Sequence, residues 1–260
     1  MFERTYRLLV FALQRFSMAA ALALLLPGQP VLAGEVRIAC ASNFTMTLRK
    51  LVQAFEAGSE HTVQISTGAT GQLYAQITQG APFDLFLAAD QARPQRLVAD
   101  ALAAEEDRFT YATGRLALFT AADQAAIGPG RLAKGDFERL AIANPLTAPY
   151  GAAAMAVLDA LALSETLAAQ IVQGTSIAQT FQFVISGNAE LGFVAQAQTL
   201  AHGGGTSWLV PQDLHPPLHQ DGVILTAAKD NTAARAFMAY LGSDAARALI
   251  RADGYAVPES

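Results

Sequence analysis

The chain has a single cysteine, Cys40, in 260 residues. No internal disulfide can brace it. Basic residues are outnumbered, 17 Lys and Arg against 22 Asp and Glu, which argues against a nucleic-acid surface. No apolar run after residue 33 approaches the roughly 20 residues a bilayer requires. No Gly-x-Ser-x-Gly elbow, no phosphate loop ending Gly-Lys-Ser/Thr and no His-Glu-x-x-His occurs. Histidine is scarce: His61, His202, His215 and His219. The last two are four apart, but Pro216-Pro217 lies between them, so they cannot form a pair inside a helix. Cys40 stands in an apolar run with no neighbouring His, the setting of a buried, inert thiol. There is no internal repeat and no low-complexity tract.

What is present begins with an export signal. Arg4, Arg7 and Arg15 precede the apolar run Met18 to Leu26, which Pro27-Gly28 breaks. Val31-Leu32-Ala33 then fits a small-x-small site, predicting cleavage after Ala33. The run is too short for a membrane anchor. Removal of 1–33 leaves 14 basic and 21 acidic residues, a net charge of −7. An exported chain with one thiol fits a bacterial periplasm. Its 52% hydrophobic content is that of a well-packed globular protein.

The patterning predicts an α/β protein. Val36 to Ala41 reads as a buried strand, 44–57 as an amphipathic helix, Thr62 to Ser66 as a strand and Leu73, Tyr74 and Ile77 as one helical face. Asp84 to Ala88 is a third strand and Gln91 to Val98 a third helix. That β-α-β-α-β rhythm calls for a parallel sheet with helices on its faces. Further on come strands at 139–143 and 191–194, helices at 151–161 and 176–186, a late strand at Val223 to Thr226, and helices at 231–241 and 243–252. Ser176 with Gln179 fits a capping box. Two α/β lobes are expected. The first takes 34–115 and 223–260 and the second 116–222, with connections near 113–119 and 210–223.

Four loops that enter helices concentrate the chemistry: Ala41-Ser42-Asn43-Phe44, Gly68-Ala69-Thr70-Gly71, Asn144-Pro145 through Tyr150-Gly151, and Gly174-Thr175-Ser176-Ile177. None contains Lys, Arg, Asp or Glu. Taken singly, Ser42, Asn43 and Thr70 are ordinary helix caps, and Asp84 and Asp90 nearby are ordinary turn residues. Taken together, the loops supply hydroxyls and helix-start N–H groups at the carboxyl ends of strands, where clefts between lobes hold ligands. Such a site takes a small anion without a cationic side chain. Donors alone suit a fully ionised dianion, whereas hydrogen phosphate needs an acceptor for its proton. This leaves molybdate, tungstate or sulfate. An exported hydrolase with Ser42 as nucleophile lacks a base near that serine. An effector-sensing domain of a transcription regulator lacks its helix-turn-helix.

At these residues the chain resembles the periplasmic molybdate-binding proteins of ABC importers, over essentially the whole mature length. The similarity is carried by Ala39-Cys40-Ala41-Ser42-Asn43-Phe44, by residues 80–91 with their Gly-Ala-Pro-x-Asp-Leu-Phe core, by residues 139–145 and by Leu191-Gly192-Phe193-Val194. It implies a type II periplasmic-binding fold, a dianion held between two lobes and delivery to a membrane permease. It further implies a monomer without cofactor or catalytic activity. It assigns the oxyanion to Ser42, Asn43, Thr70, Tyr150 and Ile177, with no side chain ligating the metal itself. Where many members carry a ligand-binding tyrosine after the Leu-Gly-x-Val strand, this chain has Ala195, and Tyr150 is the replacement donor. The alternative on the same fold is a sulfate- or thiosulfate-type carrier.

Overall fold

The computed structural model describes residues 33–123 and 127–258. The expected export signal lies outside the described residues, apart from Ala33 at its end.

The first half alternates as expected: β1 (Glu35–Ala41), a 3-10 turn (Ser42–Phe44), α1 (Thr45–Ala57), β2 (Thr62–Gly68), α2 (Thr70–Thr78), β3 (Leu85–Leu87) and α3 (Ala92–Ala99). Leu48, Leu51, Val52 and Phe55 of α1 are buried, the apolar stripe of a surface helix. There follow β4 (Ala103–Gly114), β5 (Leu116–Thr120), α4 (Pro129–Lys134), β6 (Leu140–Ala143) and α5 (Pro149–Ala160). Then come β7 (Ile171–Gly174), α6 (Ile177–Ile185), β8 (Leu191–Ala195), α7 (Gln196–His202) and β9 (Thr206–Leu209). β10 (Leu218–Leu225), α8 (Thr232–Leu241) and α9 (Asp244–Ala252) close the chain.

These elements build two five-stranded sheets, ordered β2-β1-β3-β10-β4 and β7-β6-β8-β5-β9. In each, four strands share one direction and a single strand, β10 or β5, opposes its neighbours. Both reversed strands follow a passage between sheets. One passage is the Gly114–Arg115 step and the other spans 210–217. The sheets are mainly parallel, as the β-α-β rhythm predicts.

Pairing register then fixes the site. Ala41 at the end of β1 lies opposite Gly68 at the end of β2. Ala143 at the end of β6 lies opposite Gly174 at the end of β7. The four loops therefore leave their sheets in two adjacent pairs, each at the carboxyl edge of parallel strands.

Three features differ from expectation. β10 begins at Leu218, five residues before the expected strand, because Gln220 and Asp221 are fully buried and find partners inside the protein. The segment expected in the second lobe up to residue 222 thus belongs in part to the first sheet. β4 was not foreseen: Glu105, Glu106 and Asp107 give no apolar alternation, and β4 is an edge strand that tolerates such side chains. α7 and β9 were not foreseen either.

Candidate functional site

Each wall of the site is a helix start. Thr70 and Ile177 are the first residues of α2 and α6, and Tyr150 follows Pro149 at the start of α5. Ser42 and Asn43 open the 3-10 turn before α1. The N–H groups of such first turns have no intrahelical acceptor, and they carry partial positive charge. Proline at the first position of α5 fits because its missing N–H would have been unpaired. At α6 the Ser176 hydroxyl accepts the Gln179 N–H at 3.3 Å. The Gln179 carboxamide accepts the Thr175 N–H at 2.6 Å, one residue earlier than a strict capping box.

All five sequence-predicted residues line one cavity between the sheets: Ser42, Asn43, Thr70, Tyr150 and Ile177. The 11 lining residues include no Lys, Arg, Asp or Glu. The second lobe reaches the first through its 144–148 loop. There the Thr147 carbonyl accepts the Gly71 N–H at 2.8 Å, and the Leu146 carbonyl accepts from Arg93 at 3.1 Å. These contacts hold the two walls of the cavity against each other.

Three hydroxyls at this cavity hold uncommitted protons. The Ser42 Oγ is buried and has no hydrogen-bond partner, although a buried hydroxyl ordinarily finds one. The Thr70 Oγ1 accepts the Ala89 N–H at 3.2 Å, which leaves its single proton free. The Tyr150 hydroxyl accepts from Gln220 Nε2 at 3.3 Å and donates to no acceptor among the described residues. Burial pushes the Tyr150 hydroxyl far above its ordinary range, against the opposing hydrogen bonds from Gln220 and Asn43. It is therefore a neutral O–H donor at physiological pH.

Asn43 lines the cavity with its side chain turned away from it. Its carboxamide donates inward, to Gln220 Oε1 at 3.0 Å and to the Tyr255 hydroxyl at 3.3 Å. What it offers the cavity is its main-chain N–H. Ile177, with an apolar side chain, can offer only the same. Ala195 is fully buried at the end of β8 and shares a hydrophobic cluster with Tyr150.

Sequence reasoning missed what supports these residues. Gln220 on β10, Tyr111 on β4 and Tyr255 after α9 form a buried polar layer beneath Asn43 and Tyr150. Their separation of up to 212 residues from Asn43 hid the grouping. The available signal was a pair of polar residues, Gln220-Asp221, just ahead of the apolar run Val223 to Leu225.

A family profile described as bacterial extracellular solute-binding protein matches residues 36–256. The chain belongs to that family. Among similar solute-binding proteins is the molybdate-binding protein ModA of Rhodobacter capsulatus, 44% identical over 238 residues, covering 91% of this chain and 94% of that protein. The molybdate-binding protein ModA of Azotobacter vinelandii is 48% identical over 231 residues, covering 86% and 90%. The solved periplasmic molybdate-binding protein of Azotobacter vinelandii superposes with a TM-score of 0.83 at 37% identity, covering 86% of this chain and all of that one.

The remaining chemistry of this solute-binding protein is structural. Cys40 is fully buried, and burial pushes its thiol far up, away from the reactive thiolate. Asp84 accepts from the Arg37 N–H at 2.7 Å and from its guanidinium at 3.0 and 3.2 Å. Burial works to raise its carboxyl, but these hydrogen bonds and the Arg37 charge prevail and hold it below the usual range. Asp90 caps α3 by accepting the Arg93 N–H at 3.0 Å. His215 bonds the Pro216 carbonyl and His219 the Thr113 hydroxyl. No group of His, Cys, Asp or Glu among the described residues could hold a metal ion. Ser42 has no base within hydrogen-bond reach, which a serine nucleophile requires.

Proposed function

We propose that this protein captures molybdate or tungstate in the periplasm and hands it to the permease of an ABC importer. The observation that carries this reading is the set of three buried hydroxyls, Ser42, Thr70 and Tyr150, with free protons at a cavity bounded by helix starts. A dianion with four acceptor oxygens can take all of these donors. The same donors leave the proton of hydrogen phosphate unpaired, at the cost of a buried unsatisfied polar group. Similarity to molybdate-binding proteins over most of the chain supports the same ligand.

The guest's two charges are met by fixed dipoles in place of water. The contacts between the 144–148 loop and the first lobe lie across the mouth of the site, so the lobes part to admit the anion. Binding favours the closed form because both lobes contact the guest. The protein works as a monomer, uses no cofactor and performs no chemistry on its cargo.

A thermal-shift panel of molybdate, tungstate, sulfate and phosphate tests the reading. An anion at about 1,000 times its dissociation constant adds about 4 kcal/mol, or roughly 8–16 °C for a chain of this size. Molybdate and tungstate are expected to give that shift and phosphate none. A larger shift with sulfate would transfer the assignment to a sulfate carrier. No shift with the first two at millimolar concentration would defeat it.

A further inference from the structure

The buried layer under the cavity has a direction. It starts at the Asn43 main-chain carbonyl, which can only accept. The Tyr255 hydroxyl donates to it at 2.8 Å, so the Tyr255 oxygen faces the Asn43 carboxamide as an acceptor, at 3.3 Å. This fixes the NH₂ of Asn43 toward Tyr255 and Gln220, where it donates to Gln220 Oε1 at 3.0 Å. The Tyr111 hydroxyl has one proton for two acceptors, the Ala88 carbonyl at 3.0 Å and the same Oε1 at 3.1 Å, so it does not by itself decide how Gln220 is turned. With its oxygen turned to the Asn43 NH₂, Gln220 must present Nε2 to the Tyr150 hydroxyl. A flipped Gln220 would set its NH₂ against that of Asn43, lose that bond, and turn its oxygen to the Tyr150 hydroxyl, drawing that proton away from the cavity. The Tyr150 oxygen therefore accepts, and its proton is left for the cavity. Gly114 leaves the space for this arrangement: a Cβ there would lie 2.1 Å from the Tyr150 hydroxyl and 2.5 Å from Gln220 Nε2. Gln220 and Asn43 are 0% and 3% exposed, so water does not randomise the order.

We infer that Gln220 is a positioning residue for anion capture: through Asn43 and Tyr255 it is locked in one orientation, and it holds the Tyr150 hydroxyl as an obligate donor to the guest. This rests on the proposed oxyanion site. It adds the group that sets the sense of one of its donors, and it makes that donor hostile to a guest carrying a proton.

The test is a double-substitution cycle read by titration calorimetry with molybdate and, separately, phosphate. Glutamate is isosteric with Gln220 but, when ionised, only accepts; it keeps the bond from Asn43 and draws the Tyr150 proton away from the cavity. Gln220→Glu is expected to weaken molybdate binding 10- to 100-fold and to narrow the molybdate-to-phosphate ratio. In a Tyr150→Phe background the same change should cost less than about twofold. Equal costs in both backgrounds would mean charge repulsion or general damage and would overturn the inference, as would wild-type affinity in Gln220→Glu. If Gln220→Glu does not fold, Tyr255→Phe removes the anchor of the chain. It is expected to weaken molybdate binding at least threefold in the wild type and not in Tyr150→Phe; equal effects would again overturn the inference. Unchanged affinity in Tyr150→Phe itself would instead remove Tyr150 from the proposed site.

Discussion

At the scale of single residues, the site is a matter of which protons are free. Ser42→Ala or Thr70→Ala removes one uncommitted donor and leaves an oxygen of the guest unpaired, a loss of about 1–3 kcal/mol. Titration calorimetry should show that loss with molybdate; Ser42→Ala should leave the melting temperature nearly unchanged, because its hydroxyl has no partner within the protein, whereas Thr70→Ala should lower it, because the buried Ala89 N–H loses its acceptor. Asp84 gives the opposite signature. Its carboxyl is held below the unfolded value of about 3.9, so its contribution is present above that pH and is lost as pH falls through the lower folded value. Asp84→Asn should lower the melting temperature at pH 7, and the gap to wild type should narrow only as the pH falls below about 3.9. Anion affinity at pH 7 should be unaffected. The five cavity residues were legible because small, hydroxyl and glycine residues at strand-to-helix turns carry a local signal. Gln220, Tyr111 and Tyr255 were not, because each looks like an ordinary strand or tail residue until the fold sets it beside Asn43.

At the scale of elements, the helix starts matter more than the helices. α5 can begin where it does because Gly151 faces the end of β6. A Cβ at 151 would lie 2.1 Å from the Ala143 carbonyl oxygen, a backbone atom that cannot rotate aside. Gly151→Ala must therefore push the first turn of α5 off β6, with an overpacking cost of about 1–3 kcal/mol. It should weaken molybdate binding as well as lower the melting temperature, a pairing that circular dichroism melts and calorimetry together can check. Regular elements with strong periodicity, such as α1 and α6, were legible to within a residue or two. β4 and the start of β10 were not. The carboxylates of β4 resemble a loop when its edge position is unknown, and Gln220-Asp221 resembles a turn when Tyr150 and Arg108 are not yet in view. Arg108 pairs with Asp221, and Thr110 donates to the same carboxylate at 2.6 Å.

At the scale of the whole molecule, two sheets of like design face each other across two passages, and each passage ends in a reversed strand. Local periodicity revealed the two lobes, but not the extension of β10 back through residues 218–222. That extension carries Gln220 from the second passage to the base of the cavity. No Lys, Arg, His, Asp or Glu lines the cavity to take up a proton as the dianion enters. A loaded molecule must be two elementary charges more negative than an empty one. Native isoelectric focusing with saturating molybdate should therefore resolve a second band, displaced toward the acidic end and absent in a Ser42→Ala, Thr70→Ala double variant. A membrane partner could tell full from empty by that difference in field as well as by shape.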